Sequence, residues 1–233
     1  MFEKESRGLK LLGGTNCIDV PEVIHVGETD NLQFIILSFV KSGRRAKDYW
    51  LLLGEQLANL HRNTNTHFGL DHDNYIGSLS QKNKQKENWI EFFIQHRLEA
   101  QLSIAAQNRK ITSDIRKQFD VLYKKLPDLL PQEKPTLLHG DLWNGNVMVN
   151  EKGEPTLIDP AVYYGHREAE LAFTQLFGGF EPEFYQAYHE AFPVAKGFAS
   201  RANLYNLYPL LVHVNLFGGG YLQQIVNILR KHV

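Results

Sequence analysis

An acid, an amide and a second acid stand close together late in the chain. His139-Gly140-Asp141-Leu142-Trp143-Asn144-Gly145-Asn146 is followed shortly by Leu157-Ile158-Asp159-Pro160. Moving a phosphoryl group onto a hydroxyl needs a carboxylate to accept the hydroxyl proton. It also needs oxygen ligands for the Mg²⁺ that neutralises phosphate charge. Asp141 can be the first, and Asn146 with Asp159 can be the second. Asp141 to Asn146 also keeps the D-x-x-x-x-N spacing of a phosphoryl-transfer catalytic loop. Singly, each piece has a plainer explanation: a turn with an Asp cap at His139-Gly140-Asp141, a helix or turn cap at Asp159, a relieved tight loop at Gly145. Their order, on one strand–loop–hairpin, argues for chemistry.

The elements that position them are legible as a change of period. Thr136-Leu137-Leu138 reads as a short buried strand, His139 to Asn146 as a loop, and Val147-Met148-Val149 as a strand. Glu151 to Glu154 turns the chain, and Thr156-Leu157-Ile158 pairs back. Ahead of this segment, apolar residues recur at helical spacing: Tyr49, Leu53, Leu57 and Leu60; Trp89, Phe92, Phe93, His96 and Leu102; Ile115, Phe119, Leu122 and Leu126, with Pro127 expected to stop that last helix. A polar loop is expected from His67 to Gln85. The chain begins with a short amphipathic helix carrying Phe2, Leu9, Leu11 and Leu12, ended by Gly13-Gly14. A hairpin follows, with Val23, Ile24 and Val26 on one strand, a turn at Asp30-Asn31, and Leu32 to Val40 on the other. Lys41 to Arg45 reads as a connector, and the chain after Asp159 returns to helix.

Composition narrows the class. The 233 residues carry 25 Lys+Arg against 26 Asp+Glu, a net charge of −1, which lacks the basic excess of a dedicated nucleic-acid binder. With 43% hydrophobic and 22% charged residues the chain is expected to fold as an ordinary globular protein. No apolar run approaches a membrane span, the start is charged, and a single cysteine, Cys17, excludes an internal disulfide. A cytoplasmic setting is expected.

The stretch from His139 to Phe180 closely resembles the fructosamine kinase (ketoamine kinase) family. The Leu142-Trp143 pair in the loop and Gly165-His166-Arg167-Glu168 set it apart from related kinases. Val20-Pro21, Phe68-Gly69-Leu70, Asn74-Tyr75-Ile76-Gly77, the Trp89/Phe92/Arg97 helix and Leu216 to Gly219 extend the resemblance over nearly the whole chain. It implies an α+β, protein-kinase-like two-lobe fold, shared with aminoglycoside and choline kinases. Residues 1–43 would be a truncated small α/β lobe and residues 44–233 a large helical lobe with the catalytic loop and metal-binding hairpin. It further implies Asp141 as catalytic base, His139 as the residue orienting that loop, and Asn146 and Asp159 as Mg²⁺ ligands. Glu5 matches the small-lobe glutamate that pairs with an ATP-binding lysine, and Ser38, Phe39 and Val40 lie in the hinge that meets adenine. Trp143 and Tyr164 either contact the sugar or pack the loop. ATP and Mg²⁺ are the implied cofactors. The implied substrates are ketoamines, either small fructosamine or ribulosamine molecules or glycated proteins, phosphorylated at the 3-hydroxyl in a deglycation role.

Three departures qualify that expectation. Glu170 stands where the family usually has Asp, and Ser38 where the hinge often carries Glu. The first strands, the Gly-rich loop and the ATP lysine have no counterpart: Gly13-Gly14 follows a helix and is not G-x-G-x-x-G, while Lys4 and Lys10 share the helix of Glu5. A hairpin with a bare edge is the expected consequence, which leaves a homodimer by strand pairing open. Two other functions remain: an impaired kinase relative acting as a binding or dimerising module, and a kinase of another small hydroxyl substrate, aminoglycoside-like or choline-like. His61, His67 and His72 are read as surface or loop histidines, and Gly218-Gly219-Gly220 as a close helix crossing.

Overall fold

The computed structural model describes residues 1–233. Helix α1 (Phe2–Gly13) carries Glu3 and Glu5 in its first turn and Lys10 in its last, each complementing the helix dipole, and buries Ser6, Gly8, Leu9 and Leu12. Gly8 lies one turn after Glu5. A Cβ there would sit 3.3 Å from Val162 and 3.4 Å from Pro160, so the glycine lets α1 close onto the segment that follows Asp159. Strands β1 (Val23–Glu28) and β2 (Gln33–Leu37) form an antiparallel hairpin that pairs with no other strand. The second strand stops at Leu37, short of the expected Val40: Ser38 turns back to hold Glu22 through both its backbone N–H and its Oγ.

The rest is built mainly of helices: α2 (Tyr49–Leu60), α3 (Trp89–Phe92), continuing through a π-helical stretch (Phe93–Leu98) into α4 (Glu99–Gln107), α5 (Ser113–Leu129), α6 (Arg167–Leu176), α7 (Pro182–Ala191), α8 (Phe198–Tyr205), α9 (Leu207–Phe217) and α10 (Leu222–His232). Pro127 does not stop α5. It forfeits one backbone bond in the last turn, and burial of Leu122, Leu126 and Leu130 carries the helix on to Leu129. Three further strand pairs organise the site: β3 (Asn74–Ile76) with β4 (Leu79–Gln81), β5 (Thr136–Leu138) with β8 (Tyr163–Gly165), and β6 (Val147–Val149) with β7 (Pro155–Leu157). The β3–β4 hairpin lies inside the stretch expected to be loop.

One hydrophobic core runs from Leu12 to Leu229. Packing within residues 1–43 is uneven: Leu12 and Ile18 join this core, whereas the β1–β2 hairpin contributes no fully buried residue and leaves Ile24, Leu32 and Ile36 exposed. The close helix crossing occurs at Gly54 of α2, where a Cβ would meet the Phe184 carbonyl of α7 at 2.4 Å. At Gly219 and Gly220 an added Cβ would meet nothing within 4 Å, and Gly218 is required for its backbone, with φ +98°. That glycine run is a corner between α9 and α10, not a crossing. No helix is long and apolar enough to cross a membrane.

Candidate active site

The loop between β5 and β6 and the segment after β7 are stitched together by two backbone bonds and one from a side chain. Ile158 N–H donates to Asn146 O (3.1 Å), Ala161 N–H to His139 O (2.9 Å), and His139 Nε2–H to Ile158 O (2.9 Å). Two backbone conformations make the approach feasible. Gly140 adopts φ +85°, and a Cβ there would lie 2.1 Å from Ala161 O, so only glycine fits. Asp159 itself adopts φ +52°, a left-handed conformation uncommon for a residue with a side chain, which turns the chain back toward the loop.

His139 is fully buried with both ring nitrogens in use: Nε2–H donates to the Ile158 carbonyl, and Nδ1 accepts from Asp141 N–H at 3.3 Å. Burial lowers its pKa, so the neutral ring has one tautomer fixed by its partners. It bridges the two segments and has no nitrogen left for a substrate proton. Asp141 accepts from Asn146 Nδ2 at 3.0 Å, and the same amide reaches the Asp141 carbonyl at 2.8 Å. Burial pushes the Asp141 carboxyl up to about 6, opposed by that amide bond and reinforced by Asp159 and Glu170 nearby.

Behind the loop lies a group that sequence reasoning largely missed. Glu170 on α6 accepts Gly140 N–H (2.7 Å) at one carboxylate oxygen, and His139 N–H (3.0 Å) and His61 Nε2–H (3.0 Å) at the other. His61 is wholly buried, contrary to the surface or loop reading, because its Nδ1 also meets Tyr188 OH at 2.7 Å. Burial alone would raise the Glu170 pKa; the hydrogen bond and charge of His61, with help from His139 and Gly140, bring it below the ordinary glutamate value. The only sequence signal was the unusual residue at 170. Further support comes from β3–β4, where Asn74 Nδ2 holds Val162 O (2.8 Å) and Gln81 Nε2 holds Ala161 O (2.9 Å).

A polar cleft of about 340 Å³ opens on this frame, lined among others by Lys4, Glu5, Asp141, Trp143, Asn146 and Asp159. The structure therefore brings together the expected base, both expected metal ligands and the expected α1 glutamate. Burial raises the Glu5 pKa, and the nearby Asp159 charge adds to it. With Asn146 Nδ2 engaged as donor, its Oδ1 is left as an oxygen ligand. The exposed Asp159 carboxylate accepts no hydrogen bond from the chain. An amide oxygen and a free carboxylate suit Mg²⁺, which keeps several waters and phosphate oxygens in its shell. No cluster of three His, Cys, Asp or Glu side chains offers an alternative metal site, so His61, His67 and His72 form none.

Other expected residues lie apart. Ser38, Phe39 and Val40 are outside the lining of this cleft. Phe39 and Val40 nevertheless leave their backbone N–H and C=O groups without partners in the chain, as a nucleotide-base contact would need. Trp143 lines the cleft and also lies over Gly145, where a Cβ would approach its ring to 2.4 Å, so it both packs the loop and faces the opening. Tyr164 is absent from all three cavities that meet at Asp141. Strand alternation gives that side to Tyr163 instead, which lines a small buried void beside Asp141 and Glu170.

Comparison with known proteins agrees with this architecture. A family model described as Fructosamine kinase matches residues 1–233. A "Probable ketoamine kinase" of Vibrio parahaemolyticus is 44% identical over 232 residues, covering 99% of this chain and 80% of the relative. A chloroplastic protein-ribulosamine 3-kinase of Oryza sativa subsp. japonica is 41% identical over 238 residues, covering 100% of this chain and 69% of the relative. The crystal structure of a fructosamine-3-kinase candidate from Haemophilus somnus superposes with a TM-score of 0.90 at 29% identity, covering 100% of this chain and 79% of that one. An ADP-bound aminoglycoside phosphotransferase shares the protein-kinase-like fold at a TM-score of 0.59 and 16% identity, covering 99% of this chain and 82% of that one.

Proposed function

The chain belongs to the fructosamine kinase family, a family of phosphotransferases, and from that premise we propose that it moves the terminal phosphoryl group of ATP onto a sugar hydroxyl of a ketoamine. The observation that carries this reading is the convergence of Asp141, Asn146, Asp159 and Glu5 on one cleft, with Asp141 at its inner boundary. Asp141 accepts the substrate hydroxyl proton as the oxygen–phosphorus bond forms and the bond to ADP breaks. The Asn146 amide fixes the carboxylate's orientation, and His139 and Glu170 hold the loop backbone on either side. Asn146 Oδ1 and the Asp159 carboxylate would hold Mg²⁺, whose charge offsets that of the transferring phosphate. Glu5 and Lys4 lie on adjacent positions of α1 at the nucleotide side. The free backbone groups of Phe39 and Val40 would meet adenine.

The favoured acceptor is the 3-hydroxyl of a fructosamine or ribulosamine, free or on a protein lysine, and the corresponding role is deglycation. A cytoplasmic setting and pairing of two chains at the open hairpin belong to the same reading. The test is incubation with Mg-ATP and a small fructosamine or ribulosamine, with mass spectrometry of the ketoamine. One added phosphate per ketoamine, lost in Asp141→Asn, is the expected result. Transfer to an aminoglycoside or choline but to neither ketoamine would overturn the substrate assignment. Binding without transfer to any of them would leave a binding module.

A further inference from the structure

Asp141 separates two openings of opposite character. On one side lies the polar cleft with Lys4, Glu5, Asn146 and Asp159. On the other lies a chamber of about 440 Å³ that shares Asp141, Trp143 and Gly77 with the cleft but has no lysine, arginine or glutamate in its lining. Its walls come from Phe173, Phe177, His213, Phe217 and Tyr221. The rings form one cluster: Phe177 and His213 centroids are 4.6 Å apart, and His213 and Tyr221 4.9 Å. His213 donates its Nδ1–H to Pro209 O at 2.8 Å, and burial lowers its pKa, so it adds a neutral ring to the cluster. Phe217 ends α9 with 69% of its surface exposed, beside a corner where Gly219 and Gly220 leave open space.

Resting on the ketoamine reading above, we propose that this chamber takes the amine substituent of the substrate, and that it selects apolar substituents, alkyl chains or aromatic groups, over ones ending in a carboxylate. A hydroxyl held at Asp141 must face the transferring phosphate across the cleft, so the remainder of the acceptor has to extend away from the polar side. The third cavity at Asp141, about 30 Å³, is too small for such a group, which leaves the chamber. Its aromatic walls gain from burial of methylene or ring carbon. A carboxylate inside it would meet no cation and would be desolvated at a cost. The exposed ring of Phe217 is then a contact surface at the mouth, covered when a substituent runs over it and out past the glycine corner.

The experiment compares fructose adducts of ethylamine, hexylamine and glycine as substrates. Burial of the added methylenes predicts a KM for the hexylamine adduct on the order of 10- to 100-fold below that of the ethylamine adduct. The glycine adduct should be the weakest of the three. Phe217→Ala should shrink the hexyl-to-ethyl KM ratio by roughly 5- to 10-fold, with Phe217→Leu restoring most of it. Equal KM values across the three adducts, or a ratio untouched by Phe217→Ala, would overturn the assignment. Failure of all three to be phosphorylated would sink the ketoamine-kinase reading instead. Calorimetric Kd values for the same adducts would then still decide the chamber: tighter hexyl binding with a negative heat-capacity change supports it, and equal or absent binding removes it.

Discussion

At the scale of single residues, Asp141, the proposed base, is set by its neighbours. Asp141→Asn keeps an oxygen to accept from Asn146 Nδ2, so the loop should retain its shape while the proton acceptor is lost. The expected outcome is a kcat reduced by about 10²- to 10⁴-fold with an unchanged melting temperature, read by steady-state kinetics and calorimetry. Glu170→Gln should behave differently. One oxygen of Glu170 serves Gly140 N–H and the other serves His139 N–H and His61 Nε2–H, so an amide NH₂ at either position faces a donor. Leaving such a donor unpaired costs about 1–3 kcal/mol, or roughly 2–12 °C in melting temperature for a chain of this size. As Glu170 acts through the loop backbone, kcat should fall while KM for the ketoamine holds; a loss confined to KM would refute the positioning role. The acid limb of stability carries the same signature. The Glu170 pKa is lowered in the folded protein, so its contribution is present above the ordinary glutamate range and lost as pH falls through the lowered value. Glu170→Gln should flatten that limb in melting curves taken across acidic pH.

At the scale of elements, the α2–α7 contact depends on a glycine that sequence alone gives no reason to single out. Gly54→Ala gains up to about 1 kcal/mol of helix propensity but drives a methyl against the Phe184 carbonyl at 2.4 Å and Ala187 Cβ at 3.0 Å. Backbone cannot step aside as a flexible side chain can, and overpacking of this kind costs about 1–3 kcal/mol, so net destabilisation is expected in a denaturant titration. A more stable Gly54→Ala protein would show that the helices can separate freely. The sequence disclosed the elements whose pattern is local: the β5-loop-β6-β7 unit bearing Asp141, Asn146 and Asp159, and the β1–β2 hairpin. It hid those whose reasons are tertiary. Strands β3 and β4 are three residues each, too short to alternate, and Asn74, Gln81 and Asn83 read as loop residues until they are seen bonded to Val162, Ala161 and Arg97. His61 looked like a helix-end surface residue for the same cause: both its partners, Tyr188 and Glu170, are more than a hundred positions away. Tyr164 and Tyr163 differ only by strand parity, which no single strand of three residues fixes.

At the scale of the whole molecule, stability is distributed unevenly around the cleft. The core from Leu12 to Leu229 holds α1, the loop bearing Asp141 and the helices in one packed body, whereas β1–β2 forms a two-stranded ribbon on α1 with Ile24 62% and Ile36 46% exposed. The hairpin packs on α1 but buries none of its residues fully, so its amides should exchange with solvent well before those of β5 and β8, which lie inside the core. Its unpaired edges and bare isoleucines also form the surface most apt to bind a second copy, because strand pairing would satisfy the backbone and cover apolar area together. Replacing Ile24 and Ile36 together by Lys tests this directly. Neither side chain reaches the core, so the melting temperature should move little, each change being worth within about 0.5 kcal/mol. The added charges should abolish any concentration-dependent rise in molar mass seen by light scattering of the parent chain. A parent chain whose mass stays that of one copy at every concentration would show that the hairpin remains unpaired. An unchanged dimer in the double variant would place the interface on another face.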